Sequence, residues 1–127
     1  VFSAEDETLV RPEAHEKFHL GQHHRNQHWE DAFAAKGRPI TIVPGEAIYV
    51  PVKAPHWVQN GDAVSISLSI TWRSDWSYSE ADARAFNHLV RKAGITPQTP
   101  APWPSRNMGK SLTYRAIAKT QRTLGLR

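Results

Sequence analysis

The chain contains no cysteine. That excludes a disulfide framework, a thiolate zinc site, an iron–sulfur cluster and a cysteine nucleophile. It also fits a reducing compartment, and a cytoplasmic location is the expectation. Long apolar runs are lacking as well: none approaches the ~20 residues that a membrane span requires. No signal-peptide pattern opens the chain, and neither internal repeats nor low-complexity stretches occur. Acid is lacking at one end only. Residues 104–127 hold six bases and no acid, whereas residues 1–31 hold seven acids against three bases. The net charge of +4 is therefore largely a property of the tail. Such a tail either attracts nucleic acid or an anionic surface, or forms a solvated helix face.

What is present is 127 residues, a length suited to one domain and to a core without covalent staples. Three zones can be read. Over residues 1–37 the pattern is mostly helical: Pro12 suits a first helical turn and Gly21 a stop after Leu20. Asn26 suits the cap of a second short helix, with Trp29 and Phe33 on one face and Gly37 at its end. Residues 38–72 read as strand. Pro39–Val43 and Ala47–Val50 are short apolar runs separated by the turn signal Pro44-Gly45. Asn60-Gly61 suits a type I′ hairpin turn, which needs positive φ at both residues. Strict alternation follows, with Val64, Ile66, Leu68, Ile70 and Trp72 on one face and Ser65, Ser67, Ser69 and Thr71 on the other.

Residues 77–127 return to helix. Ser79 and Asp82 have capping-box spacing, Ala83, Phe86, Val90 and Ala93 follow helical spacing, and Gly94 closes the segment. A proline-rich connector over 95–106 leads to a last helix over 108–124. There Tyr114, Ile117, Gln121 and Leu124 lie opposite Arg115, Lys119 and Arg122. The expected division is 1–75, with a helical insert over 8–37 and strands over 38–72, followed by a helical region over 76–127.

If Asn60-Gly61 close a two-residue hairpin, His56 lies opposite Ser65 and shares its face. One face of that hairpin then reads as packed core and the other as a small hydroxyl stripe bearing a histidine. A stripe of this kind suits a polar, partly enclosed space such as a barrel lumen or ligand pocket.

Gly45, Pro51, His56 and Asn60 stand at the spacings of Gly-x5-Pro-x-Gly-x2-His-x3-Asn, the second motif of the cupins, with Lys53 in place of the second glycine. Together with the serine-rich run that ends near Trp72, this stretch resembles the JmjC-type, cupin-like oxygenases, especially their bacterial members. The likeness is specific over residues 39–73 and looser over 74–127. It implies a mainly β fold with flanking helices, a double-stranded β-helix or jelly roll. It implies a centre of two histidines and one carboxylate holding Fe(II), with open positions for 2-oxoglutarate and O2, and hydroxylation of a C–H bond. Carried over by residue, His56 matches the distal metal ligand. Ser67, Ser69, Tyr49 and Trp72 match the cosubstrate and substrate pocket, and Gly45, Pro51 and Asn60 are structural.

The family's other two ligands form a His-x-Asp/Glu motif on an earlier strand. Here the one such triplet, His28-Trp29-Glu30, lies on the expected helical insert. On the family order that motif and the cosubstrate-binding lysine lie upstream of Val1, so the chain is expected to be the C-terminal portion of such an oxygenase. The resemblance also implies a homodimer through C-terminal helices. The substrate stays open among a protein side chain, RNA and a small molecule. The alternative is a non-enzymatic ligand-binding or regulatory module that contacts nucleic acid through its basic C-terminal helix. Five of the seven histidines lie between His15 and His28. His15, His19 and His23 recur every four residues, but they lack the His-Glu-x-x-His spacing of zinc hydrolases. Surface histidines on a helical insert are the expectation for them.

Overall fold

The computed structural model describes residues 1–21 and 28–126. Helix α1 spans Pro12–His19, a 3₁₀ segment spans Asp31–Lys36, α2 spans Asp75–Lys92 and α3 spans Pro104–Thr123. The chain divides into two units. One comprises Val1–Arg11 with Arg25–Ser69, and the other Pro12–His24 with Ile70–Arg127.

The second unit is helical, and α2 packs against both α1 and α3. Helix α1 starts at Pro12, whose missing N–H costs nothing in a first turn. The chain turns at Gly21, where φ is +75°. Helix α2 starts five residues earlier than its Ser79 signal implies. The Ser74 N–H donates to Ser77 Oγ (3.0 Å), and that hydroxyl donates back to Ser74 O (2.8 Å), so the serines at 74 and 77 organise the first turn. The helix stops before Gly94, which takes φ +83°. Helix α3 also starts early, at Pro104 rather than in the 108 region, because proline is favoured in the first turn.

Helices α2 and α3 bury small and polar side chains. Ala83, Ala85 and Ala118 are buried, and so are Arg84, Asn87, Asn107 and Ser111. Ser111 Oγ donates to Asp82 Oδ2 at 2.8 Å, and Arg115 pairs with the same carboxylate. The connector between the helices is pinned by side chains that replace backbone partners. Asn107 accepts from Ala101 N–H (2.9 Å) and donates to Ala101 O (2.7 Å), while Asn87 and Lys110 both donate to Gln98 O.

The first unit is built from turns and loops about an aromatic cluster. Phe2 is buried, with Trp57 at 5.4 Å and Trp29 at 6.0 Å between ring centroids. Trp29 in turn meets Trp57 edge-on at 4.8 Å and Phe33 at 5.9 Å. Trp29 and Phe33 thus meet as their spacing implies, although the helix beside them is a 3₁₀ segment beginning at Asp31. The Asn26 cap lies outside the described residues. Val1 and Arg38 exchange backbone hydrogen bonds of 3.0 and 2.8 Å, and Phe2 N–H donates to Pro55 O at 2.9 Å.

The mainly β jelly roll, or double-stranded β-helix, that the resemblance implies is not what forms. The described residues contain helices and no strand. Residues 38–73 hold turns at 44–45 and 52–53 and a bend at 62–63, with no ladder. The expected hairpin is absent: neither Asn60 nor Gly61 has the positive φ that a type I′ turn requires. Alternation specifies which side chains would share a face, but a strand also needs a second backbone about 4.8 Å away. No described segment supplies one to residues 63–72. Val64 and Ile66 are therefore 96% and 97% exposed, and the serine side faces solvent equally.

Candidate metal-ligand site at His56

Two tight turns shape the segment from Val43 to His56. In the first, Glu46 N–H donates to Val43 O at 3.0 Å across Pro44-Gly45, and Gly45 has φ +91°. Proline followed by a positive-φ glycine is the arrangement of a type II turn. The Glu46 carboxylate closes it by accepting Val43 N–H at 3.0 Å. In the second, Ala54 N–H donates to Pro51 O at 3.1 Å across Val52-Lys53, and Lys53 has φ +69°. This is again the positive-φ third position that favours glycine. Lys53, at the position of the motif's second glycine, thus takes a backbone conformation that favours glycine.

Beyond the second turn the chain is anchored. Ala54 is buried, Pro55 O accepts from Phe2 N–H, and Trp57 enters the aromatic cluster. His56, between these anchors, is exposed. Its Nδ1 lies 3.0 Å from Ala54 O. A carbonyl oxygen can only accept, so Nδ1 carries the proton in this contact, and the neutral ring keeps its lone pair on Nε2. Metal-binding histidines commonly donate one ring N–H to a carbonyl and coordinate through the other nitrogen.

The remaining site residues lie outside the helices. Ser67 and Ser69 lie on the unladdered, exposed segment, and Tyr49 is exposed on the loop before Pro51. Trp72 belongs to the second unit. Gly45 and Pro51 occupy the two turns, and Asn60 lies in the exposed stretch beyond. The described residues bring no three of His, Cys, Asp and Glu together as a metal site. This corrects the expectation of a metal-binding centre: His56 supplies one donor where a two-histidine, one-carboxylate set needs three, so the described residues do not fit Fe(II) as a complete set. His28 and Glu30 do meet, at 3.3 Å, but as an exposed pair. His15 and His19 lie on α1, and His23 lies outside the described residues.

Sequence reasoning passed over two features. One is the reciprocal bonding between Val1 and Arg38, which has no local signal. The other is the pair between the buried Glu16 and the partly exposed Arg91 of the second unit, in which Arg91 Nε and Nη2 each donate to a Glu16 oxygen at 3.0 Å. Glutamate at 1% exposure marks a partner that hydropathy cannot name. No family model, no curated protein and no solved structure matches the chain. No helix of the described residues is long and apolar enough to cross a membrane.

Proposed function

We propose that the chain carries one metal-ligand position, His56, of an Fe(II)- and 2-oxoglutarate-dependent oxygenase. The other two ligands would come from residues other than those described. The observation that carries this reading is the pair of positive-φ turns at Gly45 and Lys53 leading into a histidine whose Nδ1 is committed to Ala54 O. The motif spacing fixes Gly45, Pro51 and His56. The turn geometry gives the two glycine positions a physical reason, and the tautomer leaves Nε2 available to a borderline or hard cation.

The test uses the intact gene product, with Fe(II) and 2-oxoglutarate supplied anaerobically before O2 is admitted. Succinate should form in the wild-type protein and fall at least about tenfold in His56→Ala, since loss of a ligand disables such a centre. His88→Ala should leave turnover unchanged. Equal turnover in His56→Ala and wild type, or none in wild type, would sink the reading.

A further inference from the structure

We infer that the exposed cationic face of α3 binds the phosphate backbone of duplex DNA. Residues 108, 112, 115, 119 and 122 recur at i, i+4, i+7, i+11 and i+14 and so share one stripe of the helix. All five, Met108, Leu112, Arg115, Lys119 and Arg122, are exposed. Three of the five are cations, and α3 carries no acid anywhere along Pro104–Thr123. Arg115 shares its charge with Asp82. Lys119 and Arg122 form no ion pair among the described residues, and Arg122 commits only Nε, to Ala118 O. Charge is also segregated along the chain. The second unit has eleven Lys and Arg against five Asp and Glu, and the first has five against seven.

The geometry selects among anionic partners. Arg115 to Arg122 spans about 10 Å of helix axis at 1.5 Å per residue, enough to meet two or three successive phosphates. A single strand is held largely by bases stacked on exposed aromatic rings, and the one aromatic residue of α3, Tyr114, lies off this stripe and is half-buried. A helix lying on an anionic bilayer separates its cations from its apolar face, whereas Met108 and Leu112 share the arc of the cations. The wide major groove of B-form DNA admits a helix, and the deep, narrow groove of A-form RNA does not.

The experiment is fluorescence anisotropy of a labelled DNA duplex of about 20 base pairs, titrated with the full chain from about 50 to 200 mM salt. The observed log K should fall with log salt at a slope of about −2 to −3, for two to three phosphates neutralised. Lys119→Gln with Arg122→Gln should weaken binding at least about tenfold at the low-salt end and flatten the slope by about 2. Circular dichroism verifies that the helices survive in that variant. Lys36→Gln, in the first unit, and His56→Ala should both bind like wild type, so this result and the metal reading stand or fall separately. Absence of binding at low salt, a slope unchanged in the double variant, or tighter binding to single-stranded RNA or to vesicles of anionic phospholipid would each overturn the inference.

Discussion

Lys53 holds a left-handed backbone conformation that costs a residue with a Cβ about 1–2 kcal/mol. Glycine pays no such penalty, although it loses more entropy on folding. Lys53→Gly should therefore raise the unfolding free energy by about 0.5–1 kcal/mol in urea titration; a loss of that size would show that the side chain compensates for its strain. Asp6 makes a second residue-scale case. Its carboxyl is held below the ordinary aspartate range, first by the Thr8 hydroxyl and then by the Lys36 ammonium. A folded value below the unfolded one stabilises the fold at neutral pH, and this stability is lost as pH falls from about 4 through the folded value. The stability difference between wild type and Asp6→Asn should accordingly shrink toward zero on the acid side, followed by thermal unfolding at successive pH values. The spacing of Gly45, Pro51 and His56 was legible in the sequence. The positive φ of Lys53 was not, because lysine carries no sign of the conformation forced on it by the turn between Pro51 and Ala54.

At the scale of elements, α1 has eight residues, too few to persist alone in water. It is held to α2 by Arg91, which clasps the buried Glu16 with two hydrogen bonds and reaches the more exposed Glu13 at 3.0 Å. Arg91 is partly exposed and keeps Glu13, so Glu16→Ala should cost about 1–3 kcal/mol, the loss of two charge-assisted hydrogen bonds at a buried carboxylate. Glu13→Gln should cost less than about 1 kcal/mol, as exposed pairs do. Equal losses in chemical denaturation would refute the distinction. Pro12, Gly21 and Gly94 marked helix ends in the sequence because their backbone chemistry is local. Helix α2 starts at Asp75 rather than after Ser79 because serines at 74 and 77 organise a first turn five residues earlier. Glu16 meets a residue 75 positions away, which no window of sequence reports.

At the scale of the whole molecule, the run from Val64 to Trp72 determines what the solvent meets. Its apolar side chains are exposed, with Ile66 at 97% and Leu68 at 87%, and exposed apolar side chains bind apolar dyes. The protein should enhance anilinonaphthalene sulfonate fluorescence. Ile66→Lys with Leu68→Lys should remove most of that signal while the far-ultraviolet helical spectrum stays the same; undiminished fluorescence would place the dye elsewhere. The same run shows where sequence and tertiary structure part. The sequence alone determined which residues can turn, which segments can be helical, and where His56 stands relative to Gly45 and Pro51, since these depend on steric preferences within a few residues. Tertiary structure decided that the alternating run finds no ladder among the described residues, that Phe2, Trp29 and Trp57 gather into one cluster, and that Glu16 is buried on Arg91. Each of these requires two distant backbones or side chains to meet, and that outcome is set by the packing of the whole chain rather than by any local pattern.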